Sequence, residues 1–237
     1  MSTLIFDLET VGEDFDSLDE ATQSSLTNWI RKEAKDENEY QANLTDLKNW
    51  LGFSPLTGEI AVIGILDYEK NQGAIYFQAP GQSLAEFEEN GFKFKPMTEA
   101  EMLQNFWQGA ANYQNFVSFN GRGFDAPFLM IRSAVHKIKP TKDLMSNRYL
   151  SSQKFGARHI DLLDQLTFYG AARKKGNLHL WSRAFGIASP KASGITGDDV
   201  GKLFKEKKFL DIAKYNVGDL LATRALYEYW RDYINFV

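Results

Sequence analysis

Two carboxylates stand two residues apart in Leu4-Ile5-Phe6-Asp7-Leu8-Glu9-Thr10, a run that otherwise reads as a short buried β-strand. Side chains along a strand alternate faces, so Asp7 and Glu9 point the same way, with Cα atoms roughly 6.5–7 Å apart. Phe6 and Leu8 face the other side. Two acids on one strand face repel each other unless protons or cations compensate them. Alone, the pair fits either a solvated acidic strand end or half of an oxygen-ligand site. Asp219 follows Tyr215 by four residues in a long helical segment, so the two share one helix face. Its neighbours Leu220, Leu221, Ala225 and Leu226 are apolar, and an inward Asp219 therefore needs a cation or a hydrogen-bond partner. Asp125 stands just past a strand end in Asn120-Gly121-Arg122-Gly123-Phe124-Asp125, where the first turn of a helix also favours an acid.

The elements that would position these groups are a strand at the start, a strand–turn–helix in the middle and a helix at the end. After the opening strand, Val11-Gly12 breaks the pattern, and a polar segment of about residues 13–56 reads as one or two amphipathic helices (Leu26, Trp29, Ile30; Leu44, Leu47, Trp50, Leu51). It would cover an edge of the fold or form a mobile flap, and its residues suggest no chemistry. Glu59 to Tyr68 is the strongest strand signal, being rich in β-branched residues. Asn71-Gln72-Gly73 turns the chain into a returning strand at Ala74 to Gln78. Pro80 to Pro96 reads as loop. Thr98-Glu99-Ala100-Glu101 has capping-box form and opens a helix to about Tyr113. Phe116 to Phe119 is a fourth strand, followed by a helix from about Asp125, with Pro127 in its first turn. His159 to Leu163 is a fifth strand leading into a helix. Helices then cover roughly Leu178 to Phe185, Asp199 to Lys205 and Phe209 to Tyr233. An antiparallel hairpin followed by strand–helix alternation predicts an α/β fold, a central mixed five-stranded sheet flanked by helices, within one domain spanning 1–237.

Composition narrows the function classes. A chain of 237 residues with 43% hydrophobic content and 18 phenylalanines builds one sizeable core. Without cysteine there is no disulfide framework, no thiolate metal site and no cysteine nucleophile, which suits a reducing cytoplasm. No basic region followed by an apolar run marks a secretory signal, and no apolar stretch approaches the ~18 residues of a membrane span. A net charge of −4 argues against a broad basic face for gripping duplex DNA, though a groove holding a few phosphates remains compatible with it.

Taken in order, Asp7-x-Glu9, Asn120-x-x-x-Phe124-Asp125 and Tyr215-x-x-x-Asp219 resemble the three motifs of the DEDD superfamily of 3′–5′ exonucleases, in the subgroup with tyrosine in the third motif. The second motif has the form found in the proofreading domain of family B DNA polymerases. The closest resemblance is to the stand-alone bacterial group related to that domain; His159-Ile160-Asp161-Leu162-Leu163-Asp164 and the region Gly176 to Val200 resemble it too. The resemblance implies a ribonuclease H-like fold and hydrolysis of phosphodiester bonds at the 3′ end of single-stranded DNA. It also implies two divalent ions, Mg²⁺ or Mn²⁺, held by Asp7, Glu9, Asp125 and Asp219. Asp7 would bridge both ions, Glu9 and Asp219 would complete one site, and Asp125 would reach the other directly or through water. Tyr215 would orient the attacking water, and Leu8, Thr10, Asn120 and Phe124 would contact the terminal nucleotide. An exoribonuclease or oligonucleotidase, and a non-catalytic adaptor that binds nucleic acid on a nuclease fold, are the alternatives. Loss of a metal ligand would mark the adaptor, and all five residues are present. Asp161 and Asp164 stay open between site support and structure, and His159 is expected to be structural. No polymerase motif occurs, so proofreading within these residues is not expected, and no protein partner is implied.

Overall fold

In the computed structural model, residues 2–188 and 194–236 are described. Residues 189–193, inside the Gly176 to Val200 stretch that resembles the bacterial group, lie outside them. The chain begins with β1 (Thr3–Gly12), a ten-residue strand, and continues through α1 (Glu20–Glu33) and α2 (Glu37–Trp50) to β2 (Gly58–Asp67). Asp19 and Asp36 cap the two helices, each accepting the backbone N–H three residues on. β3 (Gln72–Phe77), β4 (Phe87–Glu89) and β5 (Phe92–Pro96) follow. Then come α3 (Glu99–Ala110), β6 (Asn115–Ser118), α4 (Asp125–Val135), β7 (Arg158–Asp161) and α5 (Leu162–Leu166). α6 (Leu178–Ala184), α7 (Val200–Lys205) and α8 (Phe209–Tyr233) complete the described elements.

The strands form one mixed sheet in the order β4-β5-β3-β2-β1-β6-β7, seven among the described residues where five were expected. The five expected strands are contiguous in it as β3-β2-β1-β6-β7, antiparallel from β3 to β1 and parallel from β1 to β7. The two additional ones come from the stretch read as loop: Phe87, Phe92 and Phe94 face the core around an Asn90-Gly91 turn, both of whose residues have positive φ. With Pro80, Gly81 and Pro96 around them, strands of three and five residues carry too few alternations to register as a pattern. β5 pairs with β3 in parallel and extends the sheet.

Each face of the sheet has its own core. Leu4, Phe6 and Leu8 pack with Met102, Phe106 and Leu129 from α3 and α4 on one side. Ile5, Val11, Val62 and Ile75 pack against Ile212, Leu220 and Leu226 of α8 on the other. Alternation along β1 therefore turns Asp7 and Glu9 toward α8. β1 runs antiparallel to β2 with Asp7 opposite Gly64. It runs parallel to β6 only over Thr3 to Ile5, so from Phe6 onward the two parallel strands part and leave a crevice at their C-terminal ends.

The α3–α4 side is tied down by a buried ion cluster. Glu99, only 4% exposed, accepts two hydrogen bonds from the Arg132 guanidinium, at 2.9 and 2.7 Å. It also accepts one from the Ile60 amide at 2.8 Å and meets His136 Nε2 at 2.6 Å. These partners hold its carboxyl below the ordinary range despite burial.

Candidate active site

Asp7 is half-buried; Glu9 on the same strand face and Asp219 from α8 are buried. One carboxylate oxygen from each lies within 4.8 Å of the others. Burial, followed by repulsion from Asp125, Asp219 and Glu9, pushes the Asp7 carboxyl well above the carboxylate range. Glu9 moves the same way, through burial first and Asp219 next. Asn216 opposes both shifts: its Nδ2 donates to Asp7 Oδ2 at 2.8 Å and to Glu9 Oε1 at 3.3 Å.

Asn216 reaches the acids because Gly64 lacks a side chain. Gly64 is paired with Asp7, and a Cβ there would lie 1.8 Å from Asn216 Oδ1 and 2.8 Å from Leu220 Cδ1. The glycine lets α8 press an amide flat against the sheet beside the acids. Asn216 was not among the residues expected from sequence; the available signal was a lone glycine inside the β-branched run Ala-Val-Ile-Gly-Ile-Leu, which marks a close approach. Just beyond, the register between β1 and β2 shifts between Glu9 and Thr10, a bulge that interrupts the pairing beside the site before it resumes from Thr10 to Gly12.

Asp125 stands apart from the three-acid cluster. It opens α4, is buried, and its Oδ1 accepts the Leu8 amide at 2.9 Å from across the crevice. Burial raises its carboxyl to about 7 even though the Leu8 amide favours the charged form. Tyr215 is buried four residues before Asp219 and hydrogen-bonds to it. Burial and then the neighbouring acids push its hydroxyl far above the usual tyrosine range, so it keeps its proton.

The four residues expected at the terminal nucleotide fall differently. The Leu8 side chain is 4% exposed in the α3–α4 core. Its amide and carbonyl point the same way in an antiparallel pair, so the carbonyl faces the crevice with the amide that Asp125 binds. Thr10 Oγ1 donates to the Gly52 carbonyl at 2.6 Å. Asn120 is exposed, in the left-handed region at φ 61°, and Phe124 is half-buried directly before Asp125. The turn carrying both is held by Asp161, whose carboxylate accepts the amides of Asn120, Arg122 and Leu163, each at 2.9 Å. Asp164 is engaged by Arg148 at 2.9 and 2.5 Å. Both acids therefore have structural work. His159 does too: its Nε2 meets Ser118 Oγ at 2.7 Å and its Nδ1 meets the Leu144 carbonyl at 3.1 Å. Burial lowers the His159 pKa to about 4, so the ring is neutral, with Nδ1 as donor and Nε2 as acceptor.

Residues 81–233 match a family model described as a predicted 3′–5′ exonuclease related to the exonuclease domain of PolB. The chain belongs to that family. The matched stretch holds Asp125, Tyr215 and Asp219, while β1 with Asp7 and Glu9 lies before it. Among solved structures, the fold resembles the family B DNA polymerase of the hyperthermophilic archaeon Pyrobaculum calidifontis. The TM-score is 0.58 at 14% identity, over 98% of this chain and 24% of the polymerase. The chain thus spans about a quarter of that protein's length. The shared architecture is the ribonuclease H-like sheet with flanking helices. Comparison with curated proteins gave no match. No helix among the described residues is long and apolar enough to cross a membrane.

Proposed function

We propose that this exonuclease-family chain hydrolyses phosphodiester bonds from the 3′ end of single-stranded DNA, in preference to RNA, with two divalent ions. The observation that carries this reading is the cluster of Asp7, Glu9 and Asp219 oxygens within 4.8 Å, with Asp7 and Glu9 held above their ordinary pKa by burial and mutual repulsion. A cation in that cluster would relieve the repulsion, and a donor set of carboxylate oxygen without thiolate suits Mg²⁺ or Mn²⁺. When bound, such ions supply water activation, charge neutralisation on the phosphate and stabilisation of the leaving 3′ oxygen. Asp7, Glu9 and Asp219 are the residues that would hold one ion, and Asp7 with Asp125 the other.

The protein's own contributions follow from its local chemistry. Tyr215 retains its proton, so it directs an attacking water through its hydroxyl and does not act as a base. Asn216 sets the relative orientation of Asp7 and Glu9. Phe124, half-buried before Asp125, offers a ring on which a terminal base stacks without sequence preference. Asn120 stands exposed on the same turn to contact the sugar–phosphate.

The test is digestion of matched 5′-labelled DNA and RNA single strands in Mg²⁺ or Mn²⁺, with wild type and Asp219→Asn. The expected result is stepwise shortening of DNA that chelation stops and Asp219→Asn abolishes. Digestion of RNA alone would overturn the substrate assignment. An Asp219→Asn protein cleaving at the wild-type rate would remove the metal site.

A further inference from the structure

A row of aromatic rings runs from the start of α4, beside Asp125, onto the segment between β1 and β2. Phe124, next to Asp125, lies 6.1 Å from Phe53 between ring centroids, and Phe53 lies 5.7 Å from Trp50. Behind Phe124, the buried Phe128 backs the row at 5.0 Å. The two outer rings are unusually open, Trp50 at 67% and Phe53 at 49% exposure. An exposed aromatic alone needs no explanation, whereas a continuous series leading into a reactive site does.

The row is fixed to β1. Trp50 ends α2, and Phe53 ends the 3₁₀ turn Leu51–Phe53. That turn is clamped on both sides: the Gly52 carbonyl accepts Thr10 Oγ1 at 2.6 Å, and the Leu51 carbonyl accepts Thr57 Oγ1 at 2.8 Å. Gly52 lies so close to β1 that a Cβ would sit 2.9 Å from the Gly12 nitrogen. The backbone that carries the rings is therefore bonded directly to β1 at Thr10, next to Glu9.

We infer that Phe53 and Trp50 form a base-stacking platform for the unpaired nucleotides that follow the 3′-terminal one. The occupant is a single strand because the row starts beside the residue that bonds to β1 between the two acids, and because every base presents a π-face to an open ring. The inference rests on the exonuclease reading of the same site and gives the segment between β1 and β2 a role in holding substrate.

The experiment uses the full chain with Trp50→Ala, Phe53→Ala and the double variant. Tyr233→Ala serves as a control for loss of an exposed ring, since Tyr233 lies about 20 Å along α8 from Asp219. Fluorescence anisotropy measures affinity for 5′-labelled oligothymidylates of two to eight nucleotides in Ca²⁺, and KM and kcat for the same strands are measured in Mn²⁺. Each alanine is expected to weaken binding of the eight-mer about tenfold, with the loss in KM and shrinking toward the dinucleotide, and Trp50→Phe should restore most of it. Equal losses at every length, unchanged affinity in the double variant, or a dimer that the double variant dissociates without altering strand affinity would overturn the platform. If wild type binds strands through these rings yet cleaves none, the exonuclease reading fails and the platform stands. If wild type neither binds nor cleaves, both fail.

Discussion

Among single residues, the most telling contrast is between Tyr215 and Asn216, which are adjacent in sequence and do different things. Tyr215 was legible because its four-residue spacing to Asp219 on an apolar helix face is a pattern in one dimension. Asn216 was not, because its contact with Asp7 and Glu9 exists only where α8 crosses β1 and β2. A tyrosine that stays protonated contributes by direction, so Tyr215→Phe should lower kcat by about 10- to 100-fold, the range for removing a residue that orients a metal site. Manganese affinity, followed by titration calorimetry, should change much less. A Tyr215→Phe enzyme with unchanged kcat would show that the hydroxyl does not orient the water.

Among elements, β1 and β2 act as a pair whose register sets the site. Asp7 faces Gly64, and the space that glycine leaves is filled by the Asn216 amide. Gly64→Ala should therefore cost more than a strand alanine normally would, because a Cβ 1.8 Å from Asn216 Oδ1 displaces the amide that bonds to Asp7 and Glu9. We expect a loss of about 1–3 kcal/mol in denaturant unfolding, as for overpacking, together with a lower metal affinity. A Gly64→Ala protein of wild-type stability and metal affinity would mean that the Asn216 amide moves aside without cost. The helical segment between the two strands taught the opposite lesson. Its helices were expected and are present, but its sequence suggested no chemistry, whereas its last turn is bonded to Thr10 and sets Phe53 and Trp50 in line with Phe124, the residue before Asp125. That neighbourhood arises from contact with β1 and has no periodic signature. β4 and β5 were missed for a different reason: they are short strands stabilised by pairing with β3.

Across the molecule, the acid cluster couples stability to pH and to metal. The Asp125 carboxyl stands at about 7 in the folded protein, against 3.8 for the ordinary group. A raised pKa means that the folded state holds its proton more tightly than the unfolded state. The resulting stability is present in full below the ordinary carboxylate range and is lost as pH rises through about 7. Asp7 and Glu9 are raised and act in the same direction. Glu99 is lowered, and its contribution falls away only at lower pH. His159, held neutral by burial with a pKa of about 4, opposes the acids in this window, because its contribution is lost as pH falls below the ordinary histidine range of 6.5. The thermal midpoint of the chelated wild type minus that of Asp125→Asn, in which His159 cancels, should thus fall between about pH 4 and pH 7. Manganese should raise the midpoint more at pH 7.5 than at pH 5, because binding displaces protons at the lower pH. A midpoint equally responsive to manganese at both values would contradict the coupling.

The order of the chemistry-bearing residues was present in one dimension. Two acids at strand spacing, an acid at a helix start and a tyrosine–aspartate pair at helical spacing define groups, faces and a family resemblance, since local periodicity alone decides which side chains share a face. The extent of the sheet, the separation of Asp125 from the other three acids, the Asn216 bridge and the aromatic row came only from tertiary structure. Each depends on residues far apart in sequence meeting at a fixed distance, and that distance is set by how closely β1, β2, α4 and α8 pack.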